Sequence, residues 1–484
     1  MLQILNGDMY EARAQAQATP QTSPILDRNA ILFTDKNGEP WTAALMDKVG
    51  TTSLPTGQAG EYKRSYPGGS LAAQELGFVA YNNDNVQKGR YGLERYYDQT
   101  LAKSDEDLYS NFFVELFGKA KSVLSGEPQS GSIVTTIEPA VQAQLERTLA
   151  DYAKEWKPKL SGGVIMDPQT GEIYAMAVSP TFDLNEFNKQ TDPLIFANPM
   201  VQNDYEMGSI VKPLTIAAGL DSGVITPTTT YNDTGCITVD TKKICNFDGV
   251  ARGTIPMQQI LSQSLNVGAS FVATKMGPEI MRDYFLNHYK LNQETGIDLP
   301  GEIHGLTDNI AKSPRQVEYD TASFGQGIAI TPIETVRALA ALGNGGKLVT
   351  PHFVKAIRYD TGITRDLTWG SEQVLKPQTT TDVSRMLTEV VDKALANGDI
   401  KLEHYSVAAK TGTAQIANPA GGGYYTDRFL HSFFGYFPSY DAKFIVFLFA
   451  LEPNGAPFAS QTWAQPFFSL TKFLISYYDV PPDR

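Results

Sequence analysis

The sequence has few of the residues that bind metals or crosslink small folds. Its 484 residues include only two cysteines and five histidines. This excludes a disulfide scaffold and a cysteine-based zinc site. The histidines form no ligand pattern and are predicted to be ordinary surface or core residues; they are His288, His304, His352, His404 and His431.

An excess of positive charge is also missing. The formal net charge is −13 at pH 7, and the pI is about 5.0. Because no basic field would collect phosphates, the charge argues against nucleic acid as a partner. The simplest interpretation of the acidity is solubility of a folded protein.

Long apolar runs are absent as well. The longest is 444–451 (FIVFLFAL), which has the length of a strand and not the ~20 residues of a membrane span. Residues 1–20 are polar and helix-prone, and they do not form a signal peptide. The chain is 42% hydrophobic, and its length predicts two or three folded domains.

A stretch rich in Gly, Pro and Ser, 125–132 (SGEPQSGS), predicts a domain boundary. Residues 1–130 are expected to form a smaller mixed module and 131–484 a larger α/β domain. In the larger domain, strand patterns lie at both ends and helical segments dominate 206–290 and 331–345. We therefore predict one sheet whose strands come from distant parts of the chain, flanked by helices.

The two cysteines, Cys236 and Cys245, flank a segment that alternates like two short strands around a turn. Their thiols could face each other across this hairpin. A disulfide is possible if the domain lies outside the cytoplasm, and two free thiols are the alternative.

The first candidate chemical motif is EMGSIVKPLT, residues 206–215. A serine hydroxyl needs a base within hydrogen-bond reach to act as a nucleophile. Positions i and i+3 share a helix face, which places the Lys212 amine beside the Ser209 hydroxyl. Gly208 and Pro213 predict that Ser209 starts the helix, where free N–H groups suit a developing negative charge. Lys212 must be neutral to act as base, so its pKa must be lowered by burial or by a neighbouring cation.

Two further motifs follow along the chain. The first is Ser264-Leu265-Asn266, in which the Ser264 hydroxyl could relay a proton and the Asn266 amide could hold a substrate amide or the lysine. Ser and Asn are also common in turns. Lys410-Thr411-Gly412-Thr413 lies in a strand-like context, where an edge strand can pair with an extended peptide. Lys410 supplies charge, the threonine hydroxyls can bind a carboxylate, and Gly412 is interpreted as leaving room for substrate. Taken alone, this motif is better explained as a turn between strands.

A second Ser-x-x-Lys, Ser469 and Lys472, lies near the end of the chain. Nothing after Lys472 supplies the other two motifs, so Ser209 is the candidate nucleophile. In this order, the three motifs resemble the set found in penicillin-binding proteins and class A β-lactamases. The chain has no His-Glu-x-x-His, Gly-x-Ser-x-Gly, P-loop or Gly-x-Gly-x-x-Gly pattern.

Nearly the whole chain resembles a class B penicillin-binding protein, a monofunctional peptidoglycan D,D-transpeptidase. SFGQG and GGYYTDRFLHSFFGYFP are closer to the division type than to the elongation type. One departure is Ile210, where the family more usually has a small polar residue, and we expect it to reshape the pocket rim. The other segments that carry the resemblance are PILDRNAILFTDKNG, RSYPGGSLAAQELGFV, YGLERYYDQTL, GGVIMDPQTGEIYAMAVSPTFDLNEFN and TGIDLPGE.

The resemblance implies an α/β (α+β) fold: a domain of the penicillin-binding transpeptidase and serine β-lactamase type, with an antiparallel sheet flanked by helices. A non-catalytic module of the pedestal or dimerisation type would precede it. The resemblance also implies that Ser209 attacks the penultimate D-Ala of a stem peptide, Lys212 takes the proton and Ser264 passes it to the leaving D-alanine.

The remaining roles are implied in the same way. Backbone N–H groups of Ser209 and Thr413 would form the oxyanion hole, and Asn266 would hold the peptide amide. Lys410, Thr411 and Thr413 would bind the terminal carboxylate beside Gly412. No cofactor or metal would be needed, and β-lactams would acylate the same serine.

The resemblance further implies partners and a location. The partners would be peptidoglycan stem peptides, a membrane glycosyltransferase and other division proteins. The location would be the outer face of the bacterial cell membrane, through an N-terminal anchor that we expect upstream of this sequence. The alternatives are a D,D-carboxypeptidase, a β-lactam sensor that is acylated without turnover, and a scaffold in the division complex.

Overall fold

The computed structural model describes residues 28–48, 62–81, 87–103, 130–418 and 420–484. The helix-prone segment 1–20 and most of the predicted linker, 125–129, lie outside the described residues. Within the described residues, no helix is long and apolar enough to cross a membrane.

The described strands and helices alternate irregularly along the chain. The strands are β1 (Ile31–Thr34), β2 (Pro40–Lys48), β3 (Tyr62–Ser65), β4 (Val79–Tyr81), β5 (Gln87–Gly89), β6 (Gly131–Thr135), β7 (Leu160–Met166), β8 (Ile173–Ser179), β9 (Thr230–Asp233), β10 (Cys236–Val239), β11 (Lys242–Cys245), β12 (Gly253–Pro256), β13 (Lys347–Val349), β14 (Val354–Tyr359), β15 (Thr364–Asp366), β16 (Ser371–Gln373), β17 (Ala408–Ala417), β18 (Tyr424–Phe437) and β19 (Phe444–Leu451). The α-helices are α1 (Ala73–Leu76), α2 (Gly92–Tyr96), α3 (Asp98–Leu101), α4 (Pro139–Trp156), α5 (Pro199–Gln202), α6 (Lys212–Asp221), α7 (Gln258–Ser262), α8 (Asn266–Arg282), α9 (Asp308–Lys312), α10 (Gln316–Ala322), α11 (Pro332–Gly343), α12 (Pro377–Glu389) and α13 (Ala459–Tyr477).

A five-stranded antiparallel sheet forms the centre of the larger domain. Its order is β17-β18-β19-β7-β8, so strands from both ends of the domain lie side by side. This confirms the predicted sheet built from distant parts of the chain. The longest apolar run is the central strand β19, and seven of its eight residues are buried. A strand covered on both faces needs apolar side chains at every position, which explains the run.

Helices cover both faces of this sheet. On one face α4 and α13 pack together, and the rings of Tyr152 and Trp463 stack with centroids 3.7 Å apart. On the same side, Phe467 of α13 stacks on Phe433 of β18. On the other face α11 contacts β18 and β19 and α12 contacts β17, while α6 packs against both of these helices and against α8. Each large apolar side chain buried between these layers contributes about 1.5–3 kcal/mol.

A second sheet has six strands in the order β15-β14-β6-β1-β2-β3. Its strands β1 to β3 precede residue 130, whereas β6, β14 and β15 follow it. The two predicted domains therefore share this sheet, with β1 running parallel to β6. The boundary at residue 130 stays a prediction.

A buried ion cluster organises the N-terminal strands. Glu94 binds two guanidinium groups: Arg28 Nε lies 2.7 Å from one carboxylate oxygen and Arg64 Nε lies 2.7 Å from the other. Arg28 also reaches Asp98 at 2.8 Å. Burial alone would raise the pKa of Glu94, but the two arginines outweigh it and hold the pKa below its usual value. The cluster joins three segments that carry the family resemblance.

Helices do not dominate all of 206–290 as predicted, because four short strands, β9 to β12, interrupt this region. The predicted hairpin is present: β10 pairs with β11, and Cys236 lies opposite Cys245. The two cysteines form a disulfide. The turn residues Asp240 and Thr241 both have positive φ, as a two-residue hairpin turn requires.

Candidate active site

Ser209 lies in a 3₁₀ turn, Gly208–Val211, that runs directly into α6. Gly208 has φ of +66°, a conformation that favours glycine. Pro213 lies in the first turn of α6, where its missing N–H costs no helical hydrogen bond. The sequence prediction that the serine starts the helix is confirmed.

Distant parts of the chain hold this turn in place. The Gly208 N–H donates to the Gly325 carbonyl at 3.1 Å, and the Ser432 hydroxyl donates to the Met207 carbonyl at 2.9 Å. A Cβ on Gly208 would lie 3.2 Å from the backbone of Thr413. The nucleophile turn is therefore clamped between β17, β18 and the loop that contains Gly325.

The amine of Lys212 lies at the centre of a hydrogen-bond network. Its Nζ is 3.0 Å from Ser209 Oγ, 2.6 Å from the Ser264 carbonyl and 3.2 Å from Ser264 Oγ. The side chain is fully buried. Burial, together with the positive charge of Lys410, lowers the pKa of Lys212 well below its usual value. A neutral amine here can donate to Ser264 and accept the proton of Ser209.

Ser264 lies between the two lysines. Its Oγ is 3.2 Å from Lys212 Nζ and 3.0 Å from Lys410 Nζ. The residue occupies the short connection between α7 and α8 with φ of +56°, a left-handed conformation that is costly for a non-glycine residue. The surrounding contacts hold this conformation and aim the hydroxyl at both amines.

Asn266 begins α8 and contacts the disulfide hairpin. Its Nδ2 donates to the Cys245 carbonyl at 3.0 Å. Asn246 directly follows the second strand of this hairpin, and its side-chain oxygen accepts the N–H of Val267 at 3.1 Å. The hairpin therefore buttresses the start of α8, which the sequence analysis did not foresee. The predicted contact of Asn266 with a substrate amide stays a prediction.

Lys410, Thr411, Gly412 and Thr413 lie on β17, which is an edge strand of the five-stranded sheet as predicted. Lys410 is buried, and its Nζ donates to Ser264 Oγ and to the Thr411 carbonyl at 3.0 and 2.9 Å. Burial lowers the pKa of Lys410 to about 7. The Thr413 hydroxyl accepts the N–H of Ala459 at 3.0 Å and so ties β17 to the start of α13.

Gly412 has a packing reason that differs from the one inferred from the sequence. A Cβ at this position would press against the Ser432 hydroxyl and lie 2.8 Å from the Met207 carbonyl. It would also lie 3.1 Å from Ile210, which is fully buried. The expected effect of Ile210 on the shape of the pocket rim stays a prediction. The glycine lets β17 approach the nucleophile turn.

This approach brings Thr413 against the Ser209 turn. An oxyanion hole formed by the backbone N–H groups of Ser209 and Thr413 stays a prediction. A pocket of about 290 Å³ lies beside Ser264 and Lys410; its lining also includes Thr411, Phe247, Arg252 and Ser460.

The rival pair, Ser469 and Lys472, is exposed on α13. The residues missed by sequence reasoning are those that fix the turn, namely Gly325 and Ser432. The SFGQG segment could have indicated this contact, because its first glycine, Gly325, packs directly on the backbone of Gly208.

The arrangement places a serine hydroxyl beside a buried lysine amine, as a serine acyltransferase site requires. Residues 162–469 match the family described as penicillin binding protein transpeptidase domain, and the chain belongs to this family. The relatives that it matches support a class B penicillin-binding protein of the division type.

Two curated relatives illustrate the similarity. Stage V sporulation protein D of Bacillus subtilis is 29% identical over 83% of this chain and 62% of its own length. Penicillin-binding protein PbpB of Mycolicibacterium smegmatis is 27% identical over 99% of this chain and 74% of its own length. The chain therefore spans less than two thirds of the first of these relatives.

Among solved structures, apo penicillin-binding protein 3 of Mycobacterium tuberculosis superposes with a TM-score of 0.79 at 25% identity. The match covers 95% of this chain and 98% of that one. The same protein has been solved in complex with aztreonam, with the same TM-score.

Proposed function

We propose that this protein is a peptidoglycan D,D-transpeptidase that works through an acyl-enzyme on Ser209. The observation that carries the proposal is the 3.0 Å contact between Ser209 Oγ and the buried amine of Lys212. A buried lysine with a lowered pKa is a base poised for proton transfer at neutral pH.

In the first half-reaction, Ser209 Oγ attacks the carbonyl of the penultimate D-Ala, and its proton passes to Lys212 Nζ. The negative charge that develops on the carbonyl oxygen faces the backbone N–H groups of Ser209 and Thr413. Ser264, in contact with both lysines, returns a proton to the departing D-alanine amine. The peptide bond breaks and an ester to Ser209 forms.

The donor peptide is held at the Lys410 end of the site. Lys410, Thr411 and Thr413 bind its terminal carboxylate, and Asn266 binds its amide. The Thr413 hydroxyl accepts a bond from Ala459, which leaves its own proton free to donate to the carboxylate. The edge position of β17 allows the extended peptide to add alongside it.

In the second half-reaction, the amine of a neighbouring stem peptide attacks the ester. The new peptide bond is the crosslink, and Ser209 is regenerated. β-Lactams acylate the same serine because they present a strained amide to the same groups. Relatives are named peptidoglycan D,D-transpeptidase FtsI, and related structures hold aztreonam and ampicillin.

The location and partners are part of the proposal. We place the domain on the outer face of the cell membrane, anchored by an N-terminal helix and working beside a membrane glycosyltransferase and other division proteins. The Cys236–Cys245 disulfide supports an oxidising compartment. An apolar helix of about 20 residues upstream in the native protein is expected, and a native sequence without one would contradict the anchor.

The test is the intact mass of the protein after incubation with benzylpenicillin, for the native chain and Ser209→Ala, with peptide mapping of the adduct. We expect a stable adduct of one drug mass on Ser209 that is absent from the variant. An adduct that persists in Ser209→Ala would mean that another serine is the nucleophile. No adduct on the native chain would overturn the proposed acyl-enzyme.

A further inference from the structure

Glu206 lies beside the nucleophile turn but has no role in the mechanism above. It precedes Ser209 by three residues, so their Cα atoms are at most about 11 Å apart. Glu206 is followed directly by Met207 and the nucleophile turn. The Met207 carbonyl is held by β18, and the Gly208 N–H is held by the loop that contains Gly325.

The two oxygens of the Glu206 carboxylate differ in their hydrogen bonds. Oε1 accepts the N–H of Gly327 and the hydroxyl of Tyr424, both at 3.1 Å. Oε2 is buried and has no hydrogen-bond partner among the described residues. A buried carboxylate oxygen without a donor is rare in folded proteins and needs an explanation. An incoming donor from a substrate would supply one.

Glu206 adds a carboxylate three residues before Ser209, outside the pocket that Lys410 borders. At the proposed donor end, Lys410 and Ser264 border the 290 Å³ pocket, and Lys212 contacts Ser264. Among the described residues that line that pocket, neither Glu206 nor Tyr424 is present. The donor strand ends in a carboxylate, which suits the lysines. The acceptor brings an ammonium group, which suits a carboxylate.

Access to Glu206 runs past a surface residue. Tyr424 is the first residue of β18 and its side chain is 36% exposed. The hydroxyl that reaches Oε1 therefore comes from the protein surface. A ligand can approach the carboxylate, including its buried Oε2, by displacing this hydroxyl.

Resting on the proposed function, we propose that Glu206 binds the ammonium group of the acceptor strand and takes one of its protons before the amine attacks the acyl-enzyme. The carboxylate becomes a carboxylic acid and the ammonium becomes a neutral amine. The nitrogen lone pair then forms a C–N bond to the ester carbonyl, and the C–O bond to Ser209 breaks. The remaining excess proton on nitrogen passes through Lys212 to Ser209 Oγ, and Glu206 later releases its proton to water.

Burial favours this transfer in both partners. Burial disfavours the charged forms, so it raises the pKa of Glu206, although the hydrogen bonds from Tyr424 and Gly327 partly oppose this. Burial would also lower the pKa of a bound ammonium group. Glu206 would thus prepare the nucleophile for the second half-reaction, whereas Lys212 prepares the nucleophile for the first.

The experiment compares two fates of one acyl-enzyme. A thiolester analogue of an acyl-D-alanyl donor is turned over in the presence of D-alanine, whose amine is cationic in water, or methanol, which is neutral. For Glu206→Gln we expect the ratio of aminolysis to hydrolysis to fall at least about 100-fold, the lower end of the range for loss of an acid–base group. Methanolysis and acylation by benzylpenicillin should stay within about two-fold, because neither involves an ammonium.

Two further variants make the result specific. Glu302→Gln alters another largely buried carboxylate, one whose two oxygens are bonded to Thr295 and Gly296, and it should leave the aminolysis ratio unchanged. Tyr424→Phe removes the hydroxyl but keeps the carboxylate. If Glu206 only fastened β18 through Tyr424, then Tyr424→Phe would lose as much aminolysis as Glu206→Gln, and the inference would be wrong.

The two proposals fail in different ways. An unchanged aminolysis ratio in Glu206→Gln, with normal benzylpenicillin acylation, overturns the acceptor role alone. Absence of any acylation in the native chain overturns the proposed function and this inference with it.

Discussion

At the scale of single residues, the chemistry rests on two buried lysines that share one serine hydroxyl. Lys212 and Lys410 both contact Ser264 Oγ, and both have lowered pKa values. Burial is the main cause for each, and the charge of Lys410 adds to the effect on Lys212. Their tasks are opposite, because Lys212 must be neutral to accept a proton and Lys410 must be charged to attract a carboxylate.

This opposition predicts a bell-shaped pH dependence for benzylpenicillin acylation. The second-order rate constant should rise as Lys212 becomes neutral, and it should fall near pH 7, where Lys410 loses its charge. In Lys410→Arg the guanidinium stays charged, so the descending limb should move upward by more than about one pH unit. The measurement is the rate of adduct formation between pH 5 and 10. A descending limb that stays in place would assign it to another group.

At the scale of elements, the site is made by the close approach of β17, β18 and the nucleophile turn. Gly412 permits this approach, and the Ser432 hydroxyl secures it through the Met207 carbonyl. The pairing of Ser209 with Lys212 could be predicted from i, i+3 spacing, because it is local. The contact between Ser432 and Met207 joins positions 225 residues apart, and no local pattern encodes it.

The same distinction explains what the sequence could and could not show about the fold. The central strand β19 and the hairpin around Cys236 follow from patterns a few residues long. The pairing of β14 with β6 does not, because it depends on which distant strands bury each other's edges. The packing role of Gly412 could not be predicted for the same reason: its neighbours come from the nucleophile turn and β18.

Adding one methyl group should disturb this contact. In Gly412→Ala the new Cβ would press on Ser432 and lie 2.8 Å from the Met207 carbonyl, so the strand or the turn must shift. We expect a stability loss of about 1–3 kcal/mol and slower acylation by benzylpenicillin. Gly370→Ala is the matched control, since its Cβ would meet only Thr350 Oγ1 at 3.5 Å, and it should be nearly neutral. Thermal unfolding and acylation rate are the readouts; equal effects of the two changes would refute the packing argument.

At the scale of the whole molecule, buried charge joins the N-terminal segments to one another, and hydrogen bonds join them to the transpeptidase domain. Glu94 fixes Arg28 and Arg64, while the Tyr97 hydroxyl donates to Asp298 at 3.0 Å. Asp298 in turn accepts the N–H groups of Phe353 and Val354 at the start of β14. The segments on either side of residue 130 therefore depend on each other.

Removing the charge of Glu94 should destabilise the protein strongly. Glu94→Gln removes the one carboxylate that the buried guanidinium groups of Arg28 and Arg64 share, which costs about 3–5 kcal/mol. Because the folded-state pKa of Glu94 is lowered, its contribution is present above its unfolded pKa of about 4.3 and is lost as pH falls through the folded value. Thermal unfolding at pH 7 measures the loss.

The control for this prediction is Asp308→Asn, which breaks an exposed pair with Lys312 whose side chains are 74% and 79% accessible. Such pairs contribute little, so this variant should unfold within about 1 kcal/mol of the native protein. A Glu94→Gln variant as stable as Asp308→Asn would mean that the buried cluster does not hold the N-terminal strands.

The shared six-stranded sheet has a practical consequence for anyone who wishes to shorten the chain. In that sheet β6 is flanked by β1 on one side and β14 on the other. A fragment that begins at residue 131 would retain β6 and β14 but lose β1, which leaves one side of β6 with bare N–H and C=O groups. Exposed strand edges recruit other chains, so the trimmed enzyme would be prone to self-association even with every catalytic side chain intact.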